Sequence, residues 1–178
     1  MTTNNQSNYK NIPIRLQNWD YRWDASYFVT ICTAGRTHYF GEICDRKMNL
    51  STIGALADVF WHEIKNHAKN VKLGPFVVMP NHIHGIIMID GNYIPEDDNK
   101  ITGSKRFQNI GKNSLSSIIG SYKSAVTKHA RRLGYQFEWQ TRFYEHIIRD
   151  EQSFIRISDY IEQNVSKWSE DRFYDQSL

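Results

Sequence analysis

His82 and His84, separated by one isoleucine, are the residues of this chain best suited by type and spacing to do chemistry. In an extended segment alternate side chains point to one side, so the two imidazoles face the same way, and each can offer a neutral nitrogen to a divalent cation. Ile83, Ile87 and Ile89 fall on the opposite side and face a core. The pair opens its strand directly after Pro80-Asn81, which places both rings at the edge of a sheet and not inside it. Two imidazoles are half of a metal site, so a further ligand is required. In a chain with seven histidines the pattern also arises from two strand histidines that bind nothing.

Tyr160 and Asn164 form the second chemical pair. They lie four apart beside a helical stripe of Phe154, Ile157, Ile161, Val165 and Trp168, on one flank of it. A phenol with a pKa of about 10 is a weak nucleophile at neutral pH, so its attack on phosphorus needs help. A divalent ion on His82, His84 and Asn164 would supply it by withdrawing charge from a phosphodiester. Attack by Tyr160 would leave a phosphotyrosine and a free hydroxyl, and this exchanged linkage can be resealed to another strand end. A helix tyrosine beside a core equally serves to cover apolar surface with its hydroxyl in water. A different hydrolase, with the histidines joined by a carboxylate such as Asp90, would have no use for Tyr160.

The elements that must hold these groups are legible in residue patterns. Tyr27 to Thr33 is rich in aromatic and β-branched residues and ends at Ala34-Gly35, a strand closed by a turn. A helix comes next, with Ser51 as its cap and Ile53, Leu56, Ala57, Phe60 and Ile64 as its apolar stripe, ending near His67. Strands are expected at Val71 to Met79 and His82 to Asp90, with a long polar loop after them from Gly91 to Asn113. Ser114 caps a second helix carrying Leu115, Ile118, Ile119, Tyr122, Val126 and Leu133 on one face, and Gly134 stops it. Phe137 to Ile148 reads as extended, and Asp150 to Trp168 as a third helix. Long apolar runs are missing, which favours an α+β fold with an antiparallel sheet over a parallel one.

With 178 residues the chain suits one domain, expected over 19–171, with a flexible tail over 1–18 and a C-terminal tail over 172–178. The polar N-terminus has no secretory h-region and no apolar run reaches membrane-spanning length, so a cytoplasmic location is expected. Cys32 and Cys44 have neither metal-site spacing nor the density of a disulfide scaffold, and read as reduced thiols.

Net charge is only +3, but it is unevenly spread. Between Lys100 and Phe137 there is no Asp or Glu, while Lys100, Lys105, Arg106, Lys112, Lys123, Lys128, Arg131 and Arg132 all fall there. Such a segment is either a solvated basic face or the footprint of a polyanion, for which a phosphate backbone is the natural candidate. Lys105, Arg106, Lys123, Lys128, Arg131 and Arg132 would then contact phosphates, and Tyr122 or Trp139 would stack on unpaired bases unless core packing claims them.

Four segments in order give these features a common frame: Val77 to Ile87 around the histidines, Ile119 to Ser124, Trp139 to Asp150, and Asp159 to Asn164. Together they resemble the REP-associated tyrosine transposases, members of the HUH (IS200-like) single-strand transposases, over about Tyr21 to Asp171. The resemblance implies a ferredoxin-like antiparallel sheet flanked by helices with the histidines on a central strand. It implies Mg or Mn as cofactor, a 5′-phosphotyrosine intermediate, and single-stranded, REP-like hairpin DNA as substrate, handled by a monomer or homodimer. His82 and His84 match the metal histidines, Tyr160 the nucleophile and Asn164 the polar residue that completes the metal site. The Ile119 to Ser124 segment and the basic helix after it match a DNA-contacting region. The same resemblance admits a domesticated protein that binds hairpins without cutting them. Where the family has proline after that asparagine this chain has Val165, so the last helix is expected to run on towards Trp168.

Overall fold

A computed structural model describes residues 25–90 and 114–174. The expected N-terminal tail, the 91–113 loop and Lys100, Lys105, Arg106 and Lys112 lie outside the described residues. The described residues form six strands and three α-helices: β1 (Ala25–Cys32), β2 (Gly41–Cys44), β3 (Lys47–Leu50), α1 (Thr52–His67), β4 (Val71–Met79), β5 (His82–Ile89), α2 (Leu115–Arg132), β6 (Tyr144–Ile148) and α3 (Glu151–Gln163). The main sheet is antiparallel, in the order β4-β5-β1-β6. With α1 and α2 as its crossovers this is the ferredoxin-like β-α-β-β-α-β arrangement, and β5 is one of its two central strands.

Each helix starts where a side chain can replace a missing backbone partner. Ser51, Ser114 and Asp150 accept hydrogen bonds from the amides of Gly54, Ser117 and Ser153, capping α1, α2 and α3. Helix α2 stops at Gly134, whose φ of 86° is the left-handed conformation that glycine adopts without strain.

The sheet has two unlike faces. Val29, Ile31, Ile83 and Ile87 look towards α1 and α2 and share a core with Trp61, Ile119 and Val126. Gly85 lies on this face, where a Cβ would collide with the Trp61 indole, so its lack of a side chain is what lets α1 pack against β5. The other face carries Phe28, Thr30, His82, His84 and Ile86, and α3 lies over it through Ile161, Phe154 and Ile157. The same alternation that sends Ile83 and Ile87 into the core therefore sends the histidines under α3.

Several expectations are corrected. The β2–β3 hairpin precedes α1 where the sequence suggested no strands: its residues are mostly exposed, and its turn is made by Asp45 and Arg46, both at positive φ without glycine. The α-helical span of α3 ends at Gln163 rather than continuing to Trp168. Ser166 Oγ donates to the Gln163 carbonyl, and Val165 and Trp168 turn into a small cluster with Cys32, Met79 and Phe173. Residues 172–174, expected in a tail, include the buried Phe173. Leu133, expected on the apolar face of α2, is 58% exposed.

Candidate metal and nucleophile site

Strand β5 begins the site. His82 and His84 are fully buried, not at a sheet edge, with ring centroids 4.4 Å apart. The chain beyond α3 covers them: the Phe173 ring lies 4.5 Å from that of His82, and the Trp168 ring 6.0 Å away.

Neighbours fix the His82 tautomer. Asn81 Nδ2 donates to the Phe173 carbonyl at 2.9 Å, which leaves its Oδ1 facing His82 Nδ1 at 2.8 Å. Nδ1 must then carry the proton, and Nε2 presents a lone pair. That Nε2 is buried and has no hydrogen-bond partner, and the same holds for Oδ1 of the buried Asn164. An unpaired acceptor in a dry site costs free energy, and each of these two would be satisfied by an electropositive partner. His84 Nδ1 meets Thr30 Oγ1 at 2.9 Å, and its Nε2 meets the Tyr160 hydroxyl at 3.1 Å.

Both imidazoles are held neutral. Burial lowers His84 to about 3, with the Arg172 charge adding to it, and burial together with the field of His84 lowers His82 well below the usual value. Neutral imidazole is the form that ligates metals.

Tyr160 is 43% exposed, and its hydroxyl also lies 3.4 Å from Asp171 Oδ2. Burial raises its pKa, Asp171 adds to the rise, and Asn164 and Arg172 oppose it. The phenol is therefore protonated at neutral pH and is not activated by its protein neighbours alone. Asp171 itself is fixed by the Phe173 amide, which donates to Oδ1 at 2.7 Å. Ligand atoms of His82, His84 and Asp171 lie within 4.8 Å of one another, a cluster that can hold a metal ion. Asn164, were it to join them, would make the donor set two nitrogens and two oxygens, a mixture that hard and borderline divalent ions accept.

The structure thus brings together Tyr160, His82, His84 and Asn164. Asp171 was not anticipated from the sequence. It sits on an irregular turn with no period to place it, and its only local signal is an acidic residue beyond the last helix. Beside Tyr160 a cleft of about 180 Å³ opens, lined by Gln163, Asn164, Lys167, Glu170 and Asp171.

The basic residues separate into two groups. Lys128, Arg131 and Arg132 line an open hollow of about 590 Å³ with Lys123, Ser124, Thr127 and Trp139. Lys123 is already engaged: its Nζ donates to the Gln140 and Thr141 carbonyls at 2.6 and 3.4 Å, and burial lowers its pKa. Tyr122, expected to stack on bases, is 3% exposed and donates its hydroxyl to the Ala57 carbonyl, so its ring belongs to the core. Trp139 is half-buried, with its indole NH donated to the Lys123 carbonyl at 3.1 Å. Cys32 and Cys44 are free thiols. Among the described residues no helix is long and apolar enough to cross a membrane.

No family model matches the chain. An uncharacterized protein of Haemophilus influenzae is 35% identical to it over 168 residues, which cover 90% of this chain and 91% of that protein. Among solved structures, a REP-associated tyrosine transposase bound to a REP hairpin superposes with a TM-score of 0.57 at 21% identity, covering 86% of this chain and 74% of the other. That likeness establishes a shared fold.

Proposed function

The chain belongs to the family of the Haemophilus influenzae protein, and from its fold and site we propose that it is a metal-dependent transposase-like enzyme that cleaves and rejoins single-stranded DNA. The observation that carries this reading is one convergence: a tyrosine hydroxyl 3.1 Å from a neutral imidazole nitrogen, beside two buried acceptors that lack partners. His82, His84 and Asn164 would hold the cation, Mg or Mn, with Asp171 as the carboxylate of the set. When bound, such an ion supplies charge withdrawal at phosphorus.

The chain's own residues supply the rest. Tyr160 Oη forms a bond to phosphorus as the bond from phosphorus to the 3′ oxygen breaks, leaving a 5′-phosphotyrosine and a free 3′-hydroxyl. The phenol is half-exposed, so its proton can leave to solvent, and the departing 3′ oxygen takes one up from solvent. Reversal with a new 3′-hydroxyl reseals the strand. Lys128, Arg131 and Arg132 would hold the DNA backbone, and Lys105 and Arg106 remain part of this proposal. The solved neighbour of the same fold is bound to a REP hairpin, which supports hairpin-bearing DNA as the substrate class.

The test is to incubate the protein with Mn and an end-labelled hairpin oligonucleotide and run a denaturing gel. Wild type should give a protein-linked DNA band, and Tyr160→Phe and chelator-treated samples should not. Hairpin binding without that band would identify a binder that does not cut, and would end the enzymatic reading.

A further inference from the structure

Arg172 is exposed and comes directly after Asp171, at the mouth of the site. Its guanidinium stacks 4.6 Å from the centre of the Phe173 ring, the ring that lies against His82. Tyr144 is on its other side, with the guanidinium 5.9 Å from that ring. Strand register explains the neighbourhood, since Tyr144 and His84 both pair with Thr30, one on each side of it. These aromatic walls orient the guanidinium without using its N–H groups. Among the described residues it makes no hydrogen bond or ion pair, and its neighbour Asp171 turns to Tyr160 and to the Phe173 amide. Its positive field reaches the site, where it helps to keep His84 neutral and pulls on the Tyr160 hydroxyl.

An uncommitted guanidinium beside residues that can hold a dication puts two positive centres in one small space. Alone they repel, and an anion between them reverses the sign of that interaction. We propose that Arg172 is a phosphate-binding residue of this site, gripping the phosphodiester on which Tyr160 acts. A planar fork of donors suits two phosphate oxygens at once, as a lysine ammonium would not. This rests on the function proposed above and adds a specific consequence: metal and DNA should bind cooperatively through Arg172, and by linkage each should tighten the other equally.

The experiment uses full-length Tyr160→Phe protein, which cannot cleave, with and without Arg172→Ala. Mn affinity is measured by EPR, alone, with the single strand (dT)12, and with its uncharged methylphosphonate counterpart. With Arg172 present, (dT)12 should tighten Mn binding about tenfold, and the methylphosphonate strand should leave it unchanged. Arg172→Ala should abolish the tightening, and in the absence of DNA should bind Mn at least as well, because a like charge has gone. Arg172→Lys should restore only part of the coupling. DNA held solely on α2 would show no coupling in either protein. The proposal is overturned if coupling persists in Arg172→Ala, if no coupling exists with Arg172 present, or if the substitution weakens Mn binding alone. Should wild type still form the covalent species in those cases, only the role of Arg172 falls; absence of both Mn binding and the adduct removes the enzymatic reading and this one with it.

Discussion

Neutrality of two buried histidines is the residue-scale fact with the widest consequences. In the unfolded chain each takes up a proton below about pH 6.5, whereas in the fold His84 resists until about pH 3 and His82 is also shifted well down. Between those limits the unfolded state binds more protons than the native one, so stability rises with pH and falls on acidification. In chelator, the melting temperature should drop from pH 7 to pH 5, with a slope on the order of 1 kcal/mol per pH unit for each histidine. A melting temperature that stays flat over this range would contradict the burial described. Asn81 acts on the same group by fixing which His82 nitrogen is free. Asn81→Ala should weaken Mn binding about tenfold or more while leaving the fold intact, as measured by calorimetric titration. Of these residues, the His82/His84 alternation and the Tyr160/Asn164 spacing were visible as patterns in the sequence, while their suggested roles came from the family resemblance. Asp171, Arg172 and Phe173 were not visible in this way, since they lie on an irregular segment whose position is set by Phe173 packing on His82.

At the scale of elements, the pattern in β5 does two jobs through one alternation: histidines to the α3 side, Ile83, Gly85 and Ile87 to the α1 side. Gly85 is the tightest point of this arrangement. Gly85→Ala should force the Trp61 indole to move and cost about 1–3 kcal/mol in chemical denaturation; a loss under half of that would show that α1 is less closely fitted to β5 than described. The capping residues and the bounds of β4, α1 and α2 were legible in the sequence because apolar period and cap agreed there. The β2–β3 hairpin escaped notice because its turn residues, Asp45 and Arg46, are not the glycine or asparagine that usually announce positive φ. The end of α3 was misplaced because Val165 is a permissible helix residue, and the tertiary cluster around Cys32 and Met79, not local propensity, decides its conformation.

Across the whole molecule, the ferredoxin-like sheet places the histidine strand centrally and α3 over the face the histidines occupy, while α2, on the opposite face, presents Lys128, Arg131 and Arg132. If these three cations hold a DNA backbone, replacing all of them with alanine should lower affinity for unrelated single strands alike. It should also reduce the slope of log affinity against log salt by about 2. Altered sequence preference with an unchanged slope would give these residues another role. The central claim is that Tyr160 becomes linked to DNA, and its most direct test is mass spectrometry of the tryptic peptide spanning residues 157–167 after reaction with Mn and a hairpin oligonucleotide. A 5′-phosphonucleotide adduct on Tyr160, absent when chelator is present, is the predicted result. Cleaved DNA with that peptide unmodified, or an adduct on a different residue, would contradict the claim.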